Sequence, residues 1–229
     1  FGTRLRAVVQ DVPKPMAPVN DRPFLEFQLL FLEQSGVQNV VIATGYKADV
    51  IRDHFGHAFR SLKLRYSHED EPLGTGGALI KAAGLVSPAR PLFVMNGDTF
   101  FPISLTDMLG LHQVNKADIT MAMMKIPELG RYSPFEIAPD GRLSLGSDSA
   151  SVHKSGGIYL FSPEMVSNLQ ARRVERLSFE DDLTPLFLDA DLHLFAYVAD
   201  VPFIDIGVPD DYHRAGLVID QYEIENPDV

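Results

Sequence analysis

The chain has no cysteine, more acidic than basic residues, and no long apolar run, and each shortage narrows what it can be. Without cysteine there is neither a disulfide nor a thiolate metal site. Lys and Arg total 20 against 31 Asp and Glu, a net charge of −11. That balance excludes nucleic acid as the main partner, because a phosphate backbone needs a basic surface. It does not exclude a small phosphorylated ligand, which a few cations focused in a cleft can hold. No apolar stretch approaches a membrane span and no secretory leader is visible, so the expected compartment is the cytoplasm, with no membrane partner. The seven histidines are scattered. His54 and His57 could meet on a helix face, but a solvated pair accounts for them and no zinc spacing emerges.

What is present is 229 residues, 45% hydrophobic, enough for one large domain with a full core. Pro23 suits a helix start, with Asn20 or Asp21 as the cap, Leu25, Leu29 and Leu32 at helical spacing, and Gly36 as the stop. Residues 39–43, 62–66 and 91–95 read as strands, and 47–55 and 75–85 as helices. Such alternation indicates a parallel sheet. Further on, 119–124, 135–138, 157–161, 192–198 and 203–206 read as strands, and 163–169, 179–188 and 209–220 as helices. The expected fold is therefore α/β: a Rossmann-like, mostly parallel or mixed central sheet flanked by helices. A single domain is expected, with a nucleotide-binding half at 1–115 and an acceptor-binding half at 116–229. The chain opens on a glycine turn with no strand before it, so a strand of ~6 residues or more is expected upstream of Phe1.

Four segments carry chemistry. In Gly2-Thr3-Arg4-Leu5-Arg6, glycine lets the backbone approach phosphate oxygens and Arg4 could grip them in a bidentate manner; a surface turn fits the same residues. In Pro13-Lys14-Pro15-Met16-Ala17-Pro18, two prolines fix the backbone around one lysine, as suits a cation aimed at a particular phosphate; a stiff surface loop reads the same way. Glu71-Pro72-Leu73-Gly74-Thr75-Gly76-Gly77 puts small residues at a helix start, either to admit a flat base or simply to turn and cap. Finally, Asn96-Gly97-Asp98-Thr99 follows an apolar strand, where open α/β sheets bind ligands. Asp205 interrupts the apolar run Phe203 to Ile206. Mg2+ held by Asp98 and Asp205 would offset the cost of burying a carboxylate, although a turn role for Asp98 and a structural hydrogen bond for Asp205 stay open.

In this order, the segments resemble the sugar-phosphate nucleotidyltransferase family over essentially the whole chain. The most specific part is Gly2-Thr3-Arg4-Leu5 followed by Pro13-Lys14-Pro15-Met16-Ala17-Pro18-Val19. Similarity to the branch that joins GTP to a heptose 1-phosphate runs from Lys14 through Phe27, and includes Asn96 to Phe101 and Ser178-Phe179-Glu180. The resemblance implies GTP and a sugar 1-phosphate as substrates, Mg2+ as cofactor, and a GDP-sugar for surface polysaccharide as product; it is compatible with a homodimer. By position it makes Gly2 and Thr3 the triphosphate loop, Arg4 and Lys14 the catalytic cations, and Glu71 and Gly74 to Gly77 the nucleotide pocket. Asp98 and Asp205 become the metal ligands, with Asn96, Gly97, Ser133, Gly156, Gly157 and Glu180 facing the acceptor. Departures lie in the acceptor half. Arg131-Tyr132-Ser133 stands where the family has Arg-Tyr-Gly, Ser155-Gly156-Gly157 where it has Asn-Gly-Gly, and a Glu-Lys pair is missing from 146–150. A mannose 1-phosphate enzyme, another nucleoside triphosphate, or a non-catalytic sensor on the same fold are the rival readings.

Overall fold

The computed structural model describes residues 12–125, 135–145, 153–190, 192–207 and 209–225. In chain order these form a 3-10 turn (Lys14–Met16), β1 (Pro18–Val19), β2 (Arg22–Pro23), α1 (Phe24–Gln34), β3 (Asn39–Thr44), α2 (Ala48–Phe55), β4 (Ala58–Phe59) and β5 (Leu62–His68). Then come α3 (Gly74–Ala83), β6 (Leu92–Met95), β7 (Thr99–Phe100), α4 (Leu105–Val114), β8 (Ile119–Lys125), β9 (Phe135–Ile137) and β10 (Leu143–Leu145). The last elements are β11 (His153–Phe161), α5 (Pro163–Ala171), a π-helical turn (Phe179–Leu183), α6 (Thr184–Asp189), β12 (Leu194–Ala199), β13 (Ile204–Asp205) and α7 (Pro209–Glu225).

The chain gathers into two compact units, neither of which is half of the sequence. One is Phe1–His68 with Asn96–Pro102 and Val201–Val229; the other is Glu69–Met95 with Ile103–Asp200. The chain passes from one to the other at Glu69, Asn96, Ile103 and Val201.

In the first unit, β3 runs parallel to β5 with Val40 opposite Leu64 and Ile42 opposite Tyr66, and β4 closes the edge antiparallel. Leu25 and Leu29 of α1, Ile51 and Phe55 of α2, and Leu62 and Leu64 of β5 share one core with Met16 of the 3-10 turn. Side chains recurring every third or fourth residue on the helices and every second on the strand meet because those are the two element periods. Asn20 and Asp21 do not cap α1. They form the two-residue turn of the β1–β2 hairpin, with φ of +48° and +61°, the left-handed conformation such turns require. Pro23 precedes α1 with no side-chain cap.

The second unit is built on a mixed sheet in the order β12-β8-β11-β6. Only β12 and β8 are parallel; β11 runs against both β8 and β6. Phe161, Phe179 and Phe187 meet edge to face in the core beneath it. Residues 179–188, expected as one helix, divide into the π turn and α6. Ser178 caps the turn, its hydroxyl accepting from Asp181 N at 3.1 Å. Ser104 starts α4 in the same way, through Asp107 N at 3.1 Å.

Candidate active site

The first unit brings Lys14, Asp98 and Asp205 together, and backbone pairing does most of the work. β7 pairs antiparallel with β13, setting Thr99 opposite Asp205 and Phe100 opposite Ile204. Ile206 N adds a bond to Asp98 O at 2.9 Å. Two aspartates far apart in sequence therefore lie on adjacent backbones. The Asp98 loop is fixed from below by Gln28, a buried side chain of α1 whose Nε2 donates to Asn96 O at 2.8 Å and to Thr99 O at 2.6 Å. Both amide hydrogens are used, as burial demands.

Lys14 sits in the 3-10 turn between its prolines, closed by Met16 N to Pro13 O at 2.8 Å and Ala17 N to Lys14 O at 2.9 Å. Pro15 packs beside Gly97, where a Cβ would find Pro15 Cγ at 3.6 Å. From this turn the Lys14 amine reaches Asp98 Oδ2 at 3.0 Å. Gly207 N donates to Asp205 Oδ1 at 2.7 Å, so that carboxylate folds back over the glycine. A Cβ placed on Gly207 would lie 2.8 Å from Asp205 Oδ1 and 3.3 Å from Lys14 Nζ. The amine and both carboxylates thus form one half-buried cluster of hard oxygen and nitrogen groups, a donor set suited to a phosphate and a hard divalent cation.

The second unit assembles a different set. Gly76 N and Gly77 N both donate to Leu177 O, at 2.9 and 3.2 Å, and Leu177 N returns a bond to Leu73 O at 2.9 Å. A Cβ on Gly74 would overlap Leu177 O, and one on Gly77 would overlap Glu175 O. These glycines therefore admit a neighbouring stretch of loop backbone, and the amides of Gly76 and Gly77 are not left over to read a base edge. The Thr75 hydroxyl donates to Glu180 at 3.0 Å and accepts from Phe179 N at 2.8 Å, tying the loop to the π turn. Glu71 is exposed.

On β11 a register shift between Ser155 and Tyr159 forms a bulge, with Gly157 at φ +77°. Ser155 Oγ accepts from Gly157 N at 3.2 Å and lies 3.1 Å from the Tyr159 hydroxyl. Burial pushes that phenol up to about 12, opposed by the Ser155 hydrogen bond and assisted by the charge of Glu180. Gly156 and Gly157 are buried in this bulge. Gly2, Thr3, Arg4 and Ser133 lie outside the described residues.

The Nucleotidyl transferase family model matches residues 1–221. The chain belongs to the nucleotidyl transferase family.

Among relatives of this nucleotidyl transferase, it is 37% identical to a D-glycero-alpha-D-manno-heptose 1-phosphate guanylyltransferase of Campylobacter jejuni, covering 93% of this chain and 94% of that protein. It is also 37% identical to the enzyme of the same name from Aneurinibacillus thermoaerophilus, covering 97% and 96%. A mannose-1-phosphate guanylyltransferase of Mycobacterium tuberculosis is 29% identical, and this chain spans 60% of its length. Among solved structures, HddC from Yersinia pseudotuberculosis superposes with a TM-score of 0.80 at 30% identity, covering 95% of this chain and 94% of that one. The same protein complexed with GMP-PN gives 0.78. The expected α/β fold is thus the fold of the family, with the sheet mixed.

Two features of this nucleotidyl transferase escape sequence reading. Gln28 is the buried anchor of the Asp98 loop; a glutamine inside the apolar run Phe27 to Phe31 was the available signal. Helix α4 was not expected either, because its apolar residues keep poor period around Gly110.

Proposed function

We propose that the protein transfers GMP from GTP to a sugar 1-phosphate, D-glycero-D-manno-heptose 1-phosphate, giving a GDP-sugar and pyrophosphate. An acceptor phosphate oxygen attacks the α-phosphorus of GTP, the bond from that phosphorus to the bridging oxygen breaks, and pyrophosphate leaves. The acceptor is already anionic near neutral pH, so no general base is required. The obstacle is repulsion between two anions, and fixed positive charge is what relieves it. The observation that carries the reading is the Lys14 amine held beside Asp98 and over Gly207 next to Asp205.

In this reading Lys14 steadies the charge gathering at the α-phosphorus, and Arg4 with the backbone of Gly2 and Thr3 binds the triphosphate. Asp98 and Asp205 would hold Mg2+. Their oxygen donors fit that ion, and among the described residues no third carboxylate or histidine joins them, so substrate phosphates and water would complete its shell. When bound, the ion would supply Lewis-acid neutralisation of phosphate charge. Glu71 and the Gly74 to Gly77 turn, which the Gly76 and Gly77 amides tie to Leu177, would line the base pocket. By the family resemblance, Asn96, Gly97, Ser133, Gly156, Gly157 and Glu180 are assigned to the acceptor. Heptose is favoured over mannose by the near full-length similarity to the heptose enzymes. No helix among the described residues is long and apolar enough to cross a membrane, and a GTP-dependent reaction fits the cytoplasm.

The test is pyrophosphate release from a panel of nucleoside triphosphates and sugar 1-phosphates, with and without a chelator. GTP with heptose 1-phosphate should exceed every other pair by at least about tenfold in kcat/KM, and chelation should abolish turnover until Mg2+ is restored. A faster reaction with mannose 1-phosphate would reassign the acceptor; binding of GDP-sugar without turnover of any pair would indicate a sensor.

A further inference from the structure

Gly207 has no conformational need to be glycine. Its φ is not in the left-handed region, unlike Gly36, Gly56, Gly74, Gly141 and Gly157. A side chain is excluded there for another reason. The space a Cβ would take is bordered by Asp205 Oδ1 at 2.8 Å and by Lys14 Nζ at 3.3 Å. The first distance is below any real Cβ contact, and the second is tighter than most. Asp205 can swing aside only by giving up the Gly207 N–H, which holds the same oxygen at 2.7 Å, a loss of one hydrogen bond. Lys14 moves more freely, since its amine ends a long, flexible stem. A methyl group at 207 would therefore displace functional groups without unfolding the unit that carries them.

We propose that Gly207 is a positioning residue: its missing side chain keeps open the space in which the Lys14 amine and the Asp205 carboxylate come together. The inference rests on the roles given to Lys14 and Asp205 above.

The experiment compares Gly207→Ala with wild type in three measurements: the melting temperature, Mn2+ binding by electron paramagnetic resonance without nucleotide, and steady-state pyrophosphate release. The melting temperature should stay within a few degrees. Mn2+ affinity should fall roughly tenfold, as for other residues that orient a metal ligand. The kcat should fall by about 10- to 100-fold, the scale of a small misplacement of reacting groups, with the KM for the sugar 1-phosphate little changed. In Lys14→Ala/Gly207→Ala the two kcat losses should combine to less than their product, because the part of the Gly207→Ala loss that acts through the amine is already gone.

Wild-type Mn2+ affinity together with normal kcat in Gly207→Ala, or fully multiplicative losses, would overturn the proposal. If Gly207→Ala does not fold, Asp205→Ala/Gly207→Ala decides: recovery of folding locates the conflict at the carboxylate and supports the proposal, whereas continued failure assigns Gly207 a backbone role and refutes it. A wild-type protein inactive on every substrate pair would sink the proposed function alone, since the Mn2+ titration still reads the geometry.

Discussion

Lys14 and Asp98, 84 positions apart, meet in an ion pair at 3.0 Å, with side chains 24% and 34% exposed. A pair this accessible to water contributes little to stability, on the order of 1 kcal/mol or less. Its geometry is nonetheless heavily constrained. Two prolines and a 3-10 turn hold the lysine, while Gln28 and the β7–β13 pairing hold the aspartate. So much structure spent on a weak bond points to positioning rather than stabilisation. On the proposed reading, Asp98 would hold the cation and the Lys14 amine would face the phosphate.

Two glycines should respond to alanine with opposite signs. Gly77→Ala drives a Cβ into Glu175 O and to 2.9 Å from Leu73 Cβ, so it should cost about 1–3 kcal/mol in denaturant unfolding. Gly110 lies inside α4 with nothing within 4 Å of its Cβ position, and Gly110→Ala should stabilise by roughly 0.5–1 kcal/mol.

The turn at Asn20 carries two separable roles. Its φ of +48° suits Asn or Gly, and its side-chain amide reaches α7 at Asp220 Oδ1, 2.6 Å away, near Gly216. The Tyr212 hydroxyl bonds Pro18 O beside it. Asn20→Gly should lose only the link to α7, about 0.5–1 kcal/mol, whereas Asn20→Ala should lose roughly 1 kcal/mol more through backbone strain. Chemical denaturation of the two variants distinguishes the contributions; equal losses would mean the turn conformation carries no cost.

His112 should make stability depend on pH. Its ring is buried, with Nδ1 at 2.8 Å from Thr120 Oγ1, and burial pushes its pKa down while Asp118 opposes this more weakly. The unfolded chain takes up a proton below about pH 6.5 and the folded one resists it. This group's contribution is therefore complete above that value and is lost as pH falls. Melting temperatures from about pH 7.5 to about 5.5 should drop more steeply for wild type than for His112→Gln; parallel curves would remove His112 from the balance.

Much of this was legible in the sequence because period and composition act locally. The stripe of Leu25, Leu29 and Leu32 announces α1, and the apolar run before Asn96 announces β6. Lys14 and the two aspartates were legible as candidates because prolines around a lysine and a carboxylate in an apolar strand are both unusual. What stayed hidden depends on partners distant in the chain. Nothing near Asn20 shows that it turns a hairpin and bonds Asp220 instead of capping a helix. The glycines at 74–77 read as bare for the sake of a base, and only the fold reveals Leu177 and Glu175 packed against their Cα atoms. Local residues cannot report which backbone will lie against them.

The most direct measurement is the kcat of Lys14→Ala for pyrophosphate release from GTP and heptose 1-phosphate, taken with its circular dichroism and melting temperature. The account requires turnover to fall by roughly 100-fold or more in a protein that stays folded, because fixed positive charge at the phosphorus is removed and little else. Turnover close to wild type in a folded variant would contradict it.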